Sequence, residues 1–120
     1  MTRQHFGQAS VPLSPAVRAG DFILVSGQVP AADGAAVPGG IDAQTRQALD
    51  NVAAALALAG AALSDVVKTA VVLTDAQDFE AFNAAYASCF PINPPARTAA
   101  EAKLMIDITV EIEAVAYRPL

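Results

Sequence analysis

The chain has 120 residues, of which 54% are hydrophobic, and this is enough for one domain, residues 1–120, with a buried core. Twelve acidic and seven basic residues give a net charge of −5, which argues against a phosphate-neutralising, nucleic-acid-binding surface. We expect a cytoplasmic protein without membrane contact. The chain has a single cysteine, Cys89, and it shows neither a charged-then-apolar leader nor an apolar run of about 18 residues.

The first half of the chain is predicted to form two strands, a loop and a helix. Short apolar runs bounded by glycine and proline indicate strands, and apolar residues at three- and four-residue spacing indicate a helix. The predicted elements are an edge strand within residues 11–19, a strand over 22–29, a loop over 31–40 and a helix over 42–59. Asp42 is expected to cap this helix, and Gly60 is expected to end it.

The second half is predicted to add three extended segments and a second helix. They are a buried strand over 66–73, a helix over 78–90, a loop over 91–96, an extended segment over 97–104 and a final strand over 109–117. The order β-β-α-β-α-β-β predicts an α+β fold in which a mixed sheet carries both helices on one face. The other face also needs cover, and further copies of the chain are the expected source because the apolar content is high for a small monomer.

Arg97 is the first candidate for ligand binding. It follows Pro94 and Pro95, which fix their own backbone angles and keep the preceding residues extended, so the arginine should stand on a rigid loop. A guanidinium is the side chain best suited to a two-pronged grip on a carboxylate. The pattern indicates a pocket for a small carboxylic acid, with a solvated arginine at the start of a strand as the alternative.

Glu111 is the second candidate. In the final strand, alternate residues share a face, and Glu111 lies on the same face as Glu113 and Val115. A carboxylate set among apolar neighbours is suited to handling a water molecule or a proton. Hydrolytic chemistry beside Arg97 is therefore predicted, with the alternative that one of the two glutamates only faces solvent.

Ser26, Gly27 and Asn83 are weaker candidates. Gly27 near a strand end can bring backbone N–H groups close to a ligand, although a glycine in a strand also indicates a bulge. Asn83 could bind a ligand or cap a neighbouring element. Other chemistries are disfavoured, because the single His5 leaves no Ser-His-Asp triad or metal-ligand cluster, and Cys89 lies in an apolar helical stripe.

Short motifs are spread along essentially the whole chain: Ser26-Gly27-Gln28-Val29-Pro30, Leu49-Asp50-Asn51-Val52, Val66-Val67-Lys68-Thr69, Asp78-Phe79, Asn83, Pro95-Ala96-Arg97 and Glu111-Ile112-Glu113-Ala114-Val115-Ala116. Their identity and order resemble those of the RidA (YjgF) family. Each motif is short, but their combination is specific. On this resemblance the chain is identified as a member of that family.

The resemblance implies a chorismate-mutase-like fold and a homotrimer with clefts between adjacent subunits. Many family members hydrolyse 2-aminoacrylate and related enamine or imine acids to 2-oxo acids and ammonia, without a cofactor or a metal. The resemblance further implies that Arg97 grips the substrate carboxylate and that Glu111 positions the attacking water. Ser26, Gly27 and Asn83 match pocket positions that the neighbouring subunit contributes.

Several positions depart from the family pattern. Ala99 stands where family deaminases commonly have a cysteine, Thr98 where they have serine or another small residue, and Ala16 where a tyrosine often reaches into the pocket. The span from Arg97 to Glu111 is also one residue shorter, so the match of Glu111 requires a deletion. These changes predict a wider and smoother pocket, and hence a substrate larger or less polar than 2-aminoacrylate, or weaker turnover of it.

Two other functions stay open at this point. One is an aminomuconate-type deaminase of a degradation pathway, and the other is a non-catalytic trimer that binds or senses a small acid through Arg97. Some family members carry the labels ribonuclease or translation inhibitor. The acidic charge and the lack of catalytic histidines disfavour both of those activities here.

Overall fold

A six-stranded sheet, a small hairpin and two α-helices make up the computed structural model, which describes residues 2–120. In chain order the elements are β1 (Arg3–Phe6), β2 (Ala16–Ala19), β3 (Phe22–Gln28), β4 (Ala31–Ala32), β5 (Ala35–Ala36), α1 (Ile41–Leu58), β6 (Val66–Leu73), α2 (Phe79–Cys89), β7 (Ala96–Glu101) and β8 (Val110–Tyr117). The large sheet has the order β1-β2-β3-β8-β6-β7, with β6 and β7 parallel and the other neighbours antiparallel. The predicted α+β class, with a mixed sheet and two helices, is confirmed.

The core lies between the helices and one face of the sheet. Leu49, Val52 and Leu56 follow each other at the three- and four-residue spacing that predicted α1, and all three are fully buried. The helix packs on β3 and β8. Phe82 of α2 is also fully buried. Burying a side chain of this size contributes about 1.5–3 kcal/mol, so these residues hold both helices on the same face. No helix within residues 2–120 is long and apolar enough to cross a membrane.

Of the two predicted ends of α1, only the C-terminal end is confirmed. Gly60 has φ of +81° directly after the C-cap residue Ala59, and this left-handed conformation ends the helix as expected. The prediction that Asp42 caps the N-terminus is wrong. The cap residue is Gly40, so no side chain caps the helix. Asp42 lies in the first turn instead, where its Oδ2 forms an ion pair with Nε of Arg46 at 3.1 Å.

The predicted order of strands omitted β1 and the β4–β5 hairpin. The four residues of β1, Arg-Gln-His-Phe, lack an apolar alternation, and the strand exists because it pairs with β2 at the sheet edge. The hairpin lies within the predicted loop and turns at Asp33 and Gly34, which both have positive φ. Asp-Gly is a recognised hairpin signal, but with two residues in each strand it carries no periodicity. In addition, β7 ends at Glu101 rather than near residue 104.

The face of the sheet opposite the helices is uncovered. Phe22 and Leu24 of β3 and Tyr117 of β8 are 46%, 47% and 46% exposed. Phe22 and Tyr117 pack edge to face with ring centroids 5.2 Å apart, and Val115 lies opposite Leu24. We call this surface the open face of the sheet. A patch of adjacent apolar side chains on a small domain indicates a surface that another molecule covers.

Arg18 is a buried cation that joins three parts of the backbone. It is 6% exposed, and its guanidinium donates to the carbonyl oxygens of Gly20 (3.1 Å), Arg118 (2.8 Å) and Ala59 (3.3 Å). Ala59 ends α1, so the positive charge also lies at the negative end of the helix dipole.

Arg18→Met is expected to lower the free energy of unfolding by about 2–4 kcal/mol, because the aliphatic stem is kept while buried carbonyls lose a charged donor. Urea unfolding at fixed protein concentration measures this. Arg46→Met is the control, since it removes an exposed ion pair from α1 and should change the midpoint much less. Equal shifts for the two variants would contradict the assignment.

Candidate active site

Arg97 is the second residue of β7 and points to the helix face of the sheet. Its partner across the strand pair is Thr69 of β6, which is fully buried beneath α2, and paired residues direct their side chains to the same face. The loop before β7 holds Asn93 at φ of +50°, a conformation that asparagine tolerates better than most residues. Pro94 and Pro95 then lead into the strand.

The guanidinium of Arg97 is surrounded by three aromatic rings and one amide. Its Nη1 donates to Oδ1 of Asn83 at 2.8 Å, and its Cζ lies 5.5, 5.6 and 5.1 Å from the ring centroids of Phe79, Phe82 and Tyr86. These are cation–π distances. We call Arg97, Asn83 and the three rings the Arg97 half-site.

The positive charge of Arg97 has no acidic partner in the part of the chain that the structure describes. Within residues 2–120 the ion pairs are Arg46 with Asp42 and Arg118 with Asp65, and neither involves Arg97. The guanidinium of Arg97 is half-buried and is held by the rings and the amide oxygen, so its other N–H groups can donate to an anion. A planar carboxylate is the anion that best matches a guanidinium.

A cleft of about 370 Å³ opens beside this guanidinium. It is lined by Asn83, Tyr86, Ala87, Phe90, Pro94, Pro95 and Arg97. The hydroxyl of Tyr86 is bonded to Oγ1 of Thr69 at 2.7 Å. Burial raises the pKa of Tyr86, against smaller lowering effects of this bond and of the Arg97 charge, so the phenol is neutral at physiological pH. The cleft is therefore largely apolar and presents one cation, which suits a small carboxylic acid.

Glu111 lies on the open face of the sheet, against the backbone of Gly27. It is the second residue of β8 and pairs with Val72. The register of β3 on β8 slips between Val25 and Gln28, so Ser26 and Gly27 form a bulge. A Cβ atom built on Gly27 would lie 2.7 Å from Oε2 of Glu111, and therefore only glycine lets the carboxylate lie this close to the strand.

Ser26 is tied to the segment that precedes β2. Its hydroxyl donates to the carbonyl oxygen of Ser14 at 2.7 Å, and its backbone N–H donates to that of Pro15 at 3.0 Å. These bonds hold the bulge in place and anchor it next to Ala16, the first residue of β2. We call Glu111, Gly27 and Ser26 the Glu111 half-site.

The two half-sites do not meet within one chain. Arg97 of β7 pairs with Thr69 of β6, and Thr69 pairs with Ala114 of β8. Glu111 is three residues from Ala114 along β8. Because side chains alternate along a strand, Glu111 points to the face opposite that of Arg97. Two strand spacings and three residues separate the Cα atoms of Arg97 and Glu111 by about 14 Å. A reaction that uses both side chains at once therefore needs them from different copies of the chain.

The grouping of the predicted residues needs a correction. The resemblance implies that Ser26, Gly27 and Asn83 reach the site from the neighbour of the subunit that holds Arg97. The structure contradicts this for Asn83, which is hydrogen-bonded to Arg97 of its own chain. Ser26 and Gly27 lie with Glu111, and their approach to the Arg97 of a neighbour stays a prediction.

The aromatic rings around Arg97 are not marked as part of a site by the sequence alone. Phe79, Phe82 and Tyr86 follow each other at three- and four-residue spacing on α2, a pattern that also describes a core stripe. The signal that could have distinguished them is the unpaired arginine that the loop delivers to the same face.

Comparisons with known proteins place the chain in a family. Residues 3–118 match the family model described as endoribonuclease L-PSP. A RutC family protein of Pyrococcus horikoshii is 44% identical over 110 residues, covering 89% of this chain and 87% of the relative. The 2-iminobutanoate/2-iminopropanoate deaminase of Escherichia coli is 41% identical over 112 residues, covering 89% and 88%. The solved structure of E. coli TdcF with bound serine superposes with a TM-score of 0.90 at 30% identity, covering 96% and 98%. The chain therefore belongs to the endoribonuclease L-PSP family, which is the YjgF/RidA family.

Proposed function

We propose that this protein is a deaminase that hydrolyses 2-imino carboxylic acids, and the enamines that tautomerise to them, to 2-oxo acids and ammonia. The observation that carries the proposal is the Arg97 guanidinium, which faces a largely apolar cleft with no acidic partner in residues 2–120. The name of the 41% identical E. coli deaminase supports this reaction class. The structure of TdcF with bound serine supports a ligand that carries a carboxylate.

The reaction consumes one water and needs no redox partner. Arg97 holds the carboxylate, so that C2 of the imine meets a water molecule within about 3–3.5 Å. Glu111 accepts a proton from the water as the water oxygen bonds to C2 of the protonated imine, and the electron pair of the C=N bond moves onto the nitrogen, which gives a neutral carbinolamine. Glu111 then returns this proton to the nitrogen, the C2–N bond breaks and ammonia leaves. The hydroxyl proton passes to solvent as the C2–O bond becomes the carbonyl of the 2-oxo acid. The substrate is already electrophilic, so positioning and proton transfer are sufficient.

We further propose that the working unit is a homotrimer whose sites form between subunits. The two half-sites lie on opposite faces of one chain, and the open face carries exposed apolar side chains on β3 and β8. A second copy that covers the open face can bring its Arg97 half-site to the Glu111 half-site of the first.

The single cysteine, Cys89, is a free thiol, which fits a protein of the reducing cytoplasm.

The proposed reaction is tested directly by measuring ammonia and 2-oxobutyrate release from 2-iminobutyrate, generated in situ by a threonine dehydratase. We expect the protein to accelerate release over spontaneous hydrolysis at equal dehydratase flux. Heat-inactivated protein serves as the control. Unchanged release, together with calorimetric binding of 2-oxobutyrate, would instead support the small-acid sensor.

The proposed assembly predicts complementation between two inactive variants. If Arg97→Ala and Glu111→Gln chains are co-expressed, random mixing leaves about a quarter of the inter-subunit sites with an intact Arg97 and an intact Glu111. Deaminase activity should recover toward that fraction. Co-expression of Arg97→Ala with an Arg97→Ala/Glu111→Gln double variant is the matched control, because it can form no intact site. Lack of recovery in chains that co-purify would overturn the inter-subunit site.

The alternative functions differ in substrate or in chemistry. An aminomuconate-type deaminase would use the same residues on a longer acid. The RutC and endoribonuclease names within the family point to other activities. A ribonuclease is the least supported of these, because the net charge of −5 opposes binding of a polyanion.

A further inference from the structure

A buried pair of hydroxyl groups lies beside Arg97 on the helix face of the sheet. Oγ1 of Thr69 and the hydroxyl oxygen of Tyr86 are 2.7 Å apart, and the two residues are 0% and 5% exposed. In the part of the chain that the structure describes, neither hydroxyl has another hydrogen-bond partner. A buried hydroxyl that loses its partner carries a desolvation cost, so this single bond fixes both groups.

Thr69 is the rigid member of this pair. It lies within β6, which has β7 and β8 as its neighbours in the sheet, and it pairs with Arg97 on one side and with Ala114 on the other. Because threonine is branched at Cβ, its χ1 angle is restricted. The hydroxyl of Thr69 therefore has a fixed position relative to the backbone of Arg97.

Tyr86 carries this fixed position to the guanidinium. Its ring centroid is 5.1 Å from Cζ of Arg97, which is the shortest of the three ring distances. The ring also packs against Phe82 and Phe90, with centroids 5.3 and 4.8 Å away. Phe79 and Phe82 carry no polar group, so Tyr86 is the one ring of the Arg97 half-site that a hydrogen bond ties to the sheet.

The cleft offers the phenol another partner if Thr69 cannot bond it. Tyr86 lines this cleft, and a buried hydroxyl without a partner gains free energy by turning toward water. The ring would then leave the guanidinium and enter the space of the ligand. Arg97 would regain rotameric freedom, which a bound carboxylate must remove again.

We propose that the buried Thr69 is a positioning residue, which acts through Tyr86 to hold the Arg97 guanidinium ready for the substrate carboxylate. This inference rests on the proposed function and adds a residue that sets the affinity of its site. Holding one long side chain in place before the ligand arrives is worth about three- to tenfold in affinity. The carboxylate is held alike in the bound substrate and in the transition state, so the effect belongs in KM rather than in kcat.

Thr69→Val tests the inference, because valine has a shape close to that of threonine but cannot bond the phenol. The KM for 2-iminobutyrate is measured by varying the flux of the threonine dehydratase, and the Kd of 2-oxobutyrate is measured by calorimetry. We expect both to rise about three- to tenfold, while kcat changes by less than about twofold. Thr69→Ser keeps the hydroxyl and should leave all three values within about twofold of those of the unchanged protein.

The double variant Thr69→Val/Tyr86→Phe separates positioning from a loss of packing. It leaves no buried hydroxyl without a partner at this place, and packing against Phe82 and Phe90 keeps the ring over the guanidinium. We therefore expect KM and Kd to return to within about twofold of the unchanged protein. If the double variant shows no such recovery relative to Thr69→Val, the inference is wrong.

Tyr86→Phe alone shows whether the phenol itself binds the ligand. The ring stays in place in this variant, so KM and Kd should again stay within about twofold. A rise equal to that of Thr69→Val would mean that the hydroxyl of Tyr86 contacts the ligand directly, and it would overturn the positioning role of Thr69.

Thr45→Val is the matched control. Thr45 is also fully buried, but it lies in α1, and its hydroxyl has no hydrogen-bond partner among residues 2–120. The same substitution there should leave KM, kcat and Kd unchanged. If Thr69→Val lowers the midpoint of thermal unfolding but changes neither KM nor Kd, Thr69 is only structural, and the inference fails while the proposed function stands. If the unchanged protein neither accelerates ammonia release nor binds 2-oxobutyrate, both fail.

Discussion

Replacing Arg97 with alanine is expected to weaken the binding of 2-oxobutyrate, the product of 2-iminobutyrate, by about 2–5 kcal/mol and to abolish detectable deamination. The reason is that the guanidinium is held by Asn83 and three rings and has no acidic partner among residues 2–120. Truncation removes the only cation among the described residues that line the cleft. Isothermal titration calorimetry with 2-oxobutyrate measures the first effect, and ammonia release measures the second.

Two controls separate this role from general effects of charge. Arg46→Ala removes a positive charge from an exposed ion pair and should leave both binding and turnover unchanged. Asn83→Asp keeps the shape of the side chain but places a carboxylate 2.8 Å from Nη1 of Arg97. That internal anion should compete with the ligand and weaken its binding. Arg97→Ala binding that falls by less than about 1 kcal/mol would mean that the ligand does not use this arginine as its ionic partner.

Glu111→Gln is expected to lower kcat for deamination by about 10²- to 10⁴-fold, because the amide keeps the shape of the carboxylate but cannot accept the proton of the attacking water. Binding of 2-oxobutyrate should stay close to that of the unchanged protein, since the Arg97 half-site is untouched. Packing against Gly27 is also kept, so the fold should survive. Single-turnover rates and calorimetry on the same preparation measure the two effects.

Glu113→Gln is the matched control for this variant. Glu113 lies two residues further along β8 on the same face and is exposed, so it tests whether any lost charge on that face reduces the rate. A similar loss for both variants would remove the specific role of Glu111. If the unchanged protein and both variants bind 2-oxobutyrate but release no ammonia, the protein is the small-acid sensor.

Most of the fold could be predicted from local pattern, since the helices and long strands carry their own signals. The apolar spacing of Leu49, Val52 and Leu56 predicted α1, and the alternation of β8 predicted its two faces. The elements that were missed, β1 and the β4–β5 hairpin, are short or polar and have no periodicity. β1 forms because β2 offers unpaired backbone groups at the edge of the sheet. The two strands of the hairpin form a separate small sheet, in which they pair with each other across the turn at Asp33 and Gly34.

The candidate residues could be named from the sequence because their chemistry is unusual for their position. A proline-fixed arginine and a glutamate in an apolar strand are visible in the residues themselves, and the resemblance to the RidA family assigns each a role. The partners of these residues were not predictable in the same way. That Asn83 bonds Arg97 depends on how α2 crosses β7, and that Glu111 touches Gly27 depends on a bulge in β3.

The sequence by itself determined the α+β class, the positions of both helices and the identity of the arginine and glutamate, because hydrophobic periodicity and residue chemistry are local properties. Only the tertiary structure decided that Arg97 and Glu111 lie on opposite faces of the sheet, that three rings hold the guanidinium, and that an apolar pocket opens beside it. These facts depend on strand register and on which face each helix covers. A shift of one residue in pairing would reverse every face.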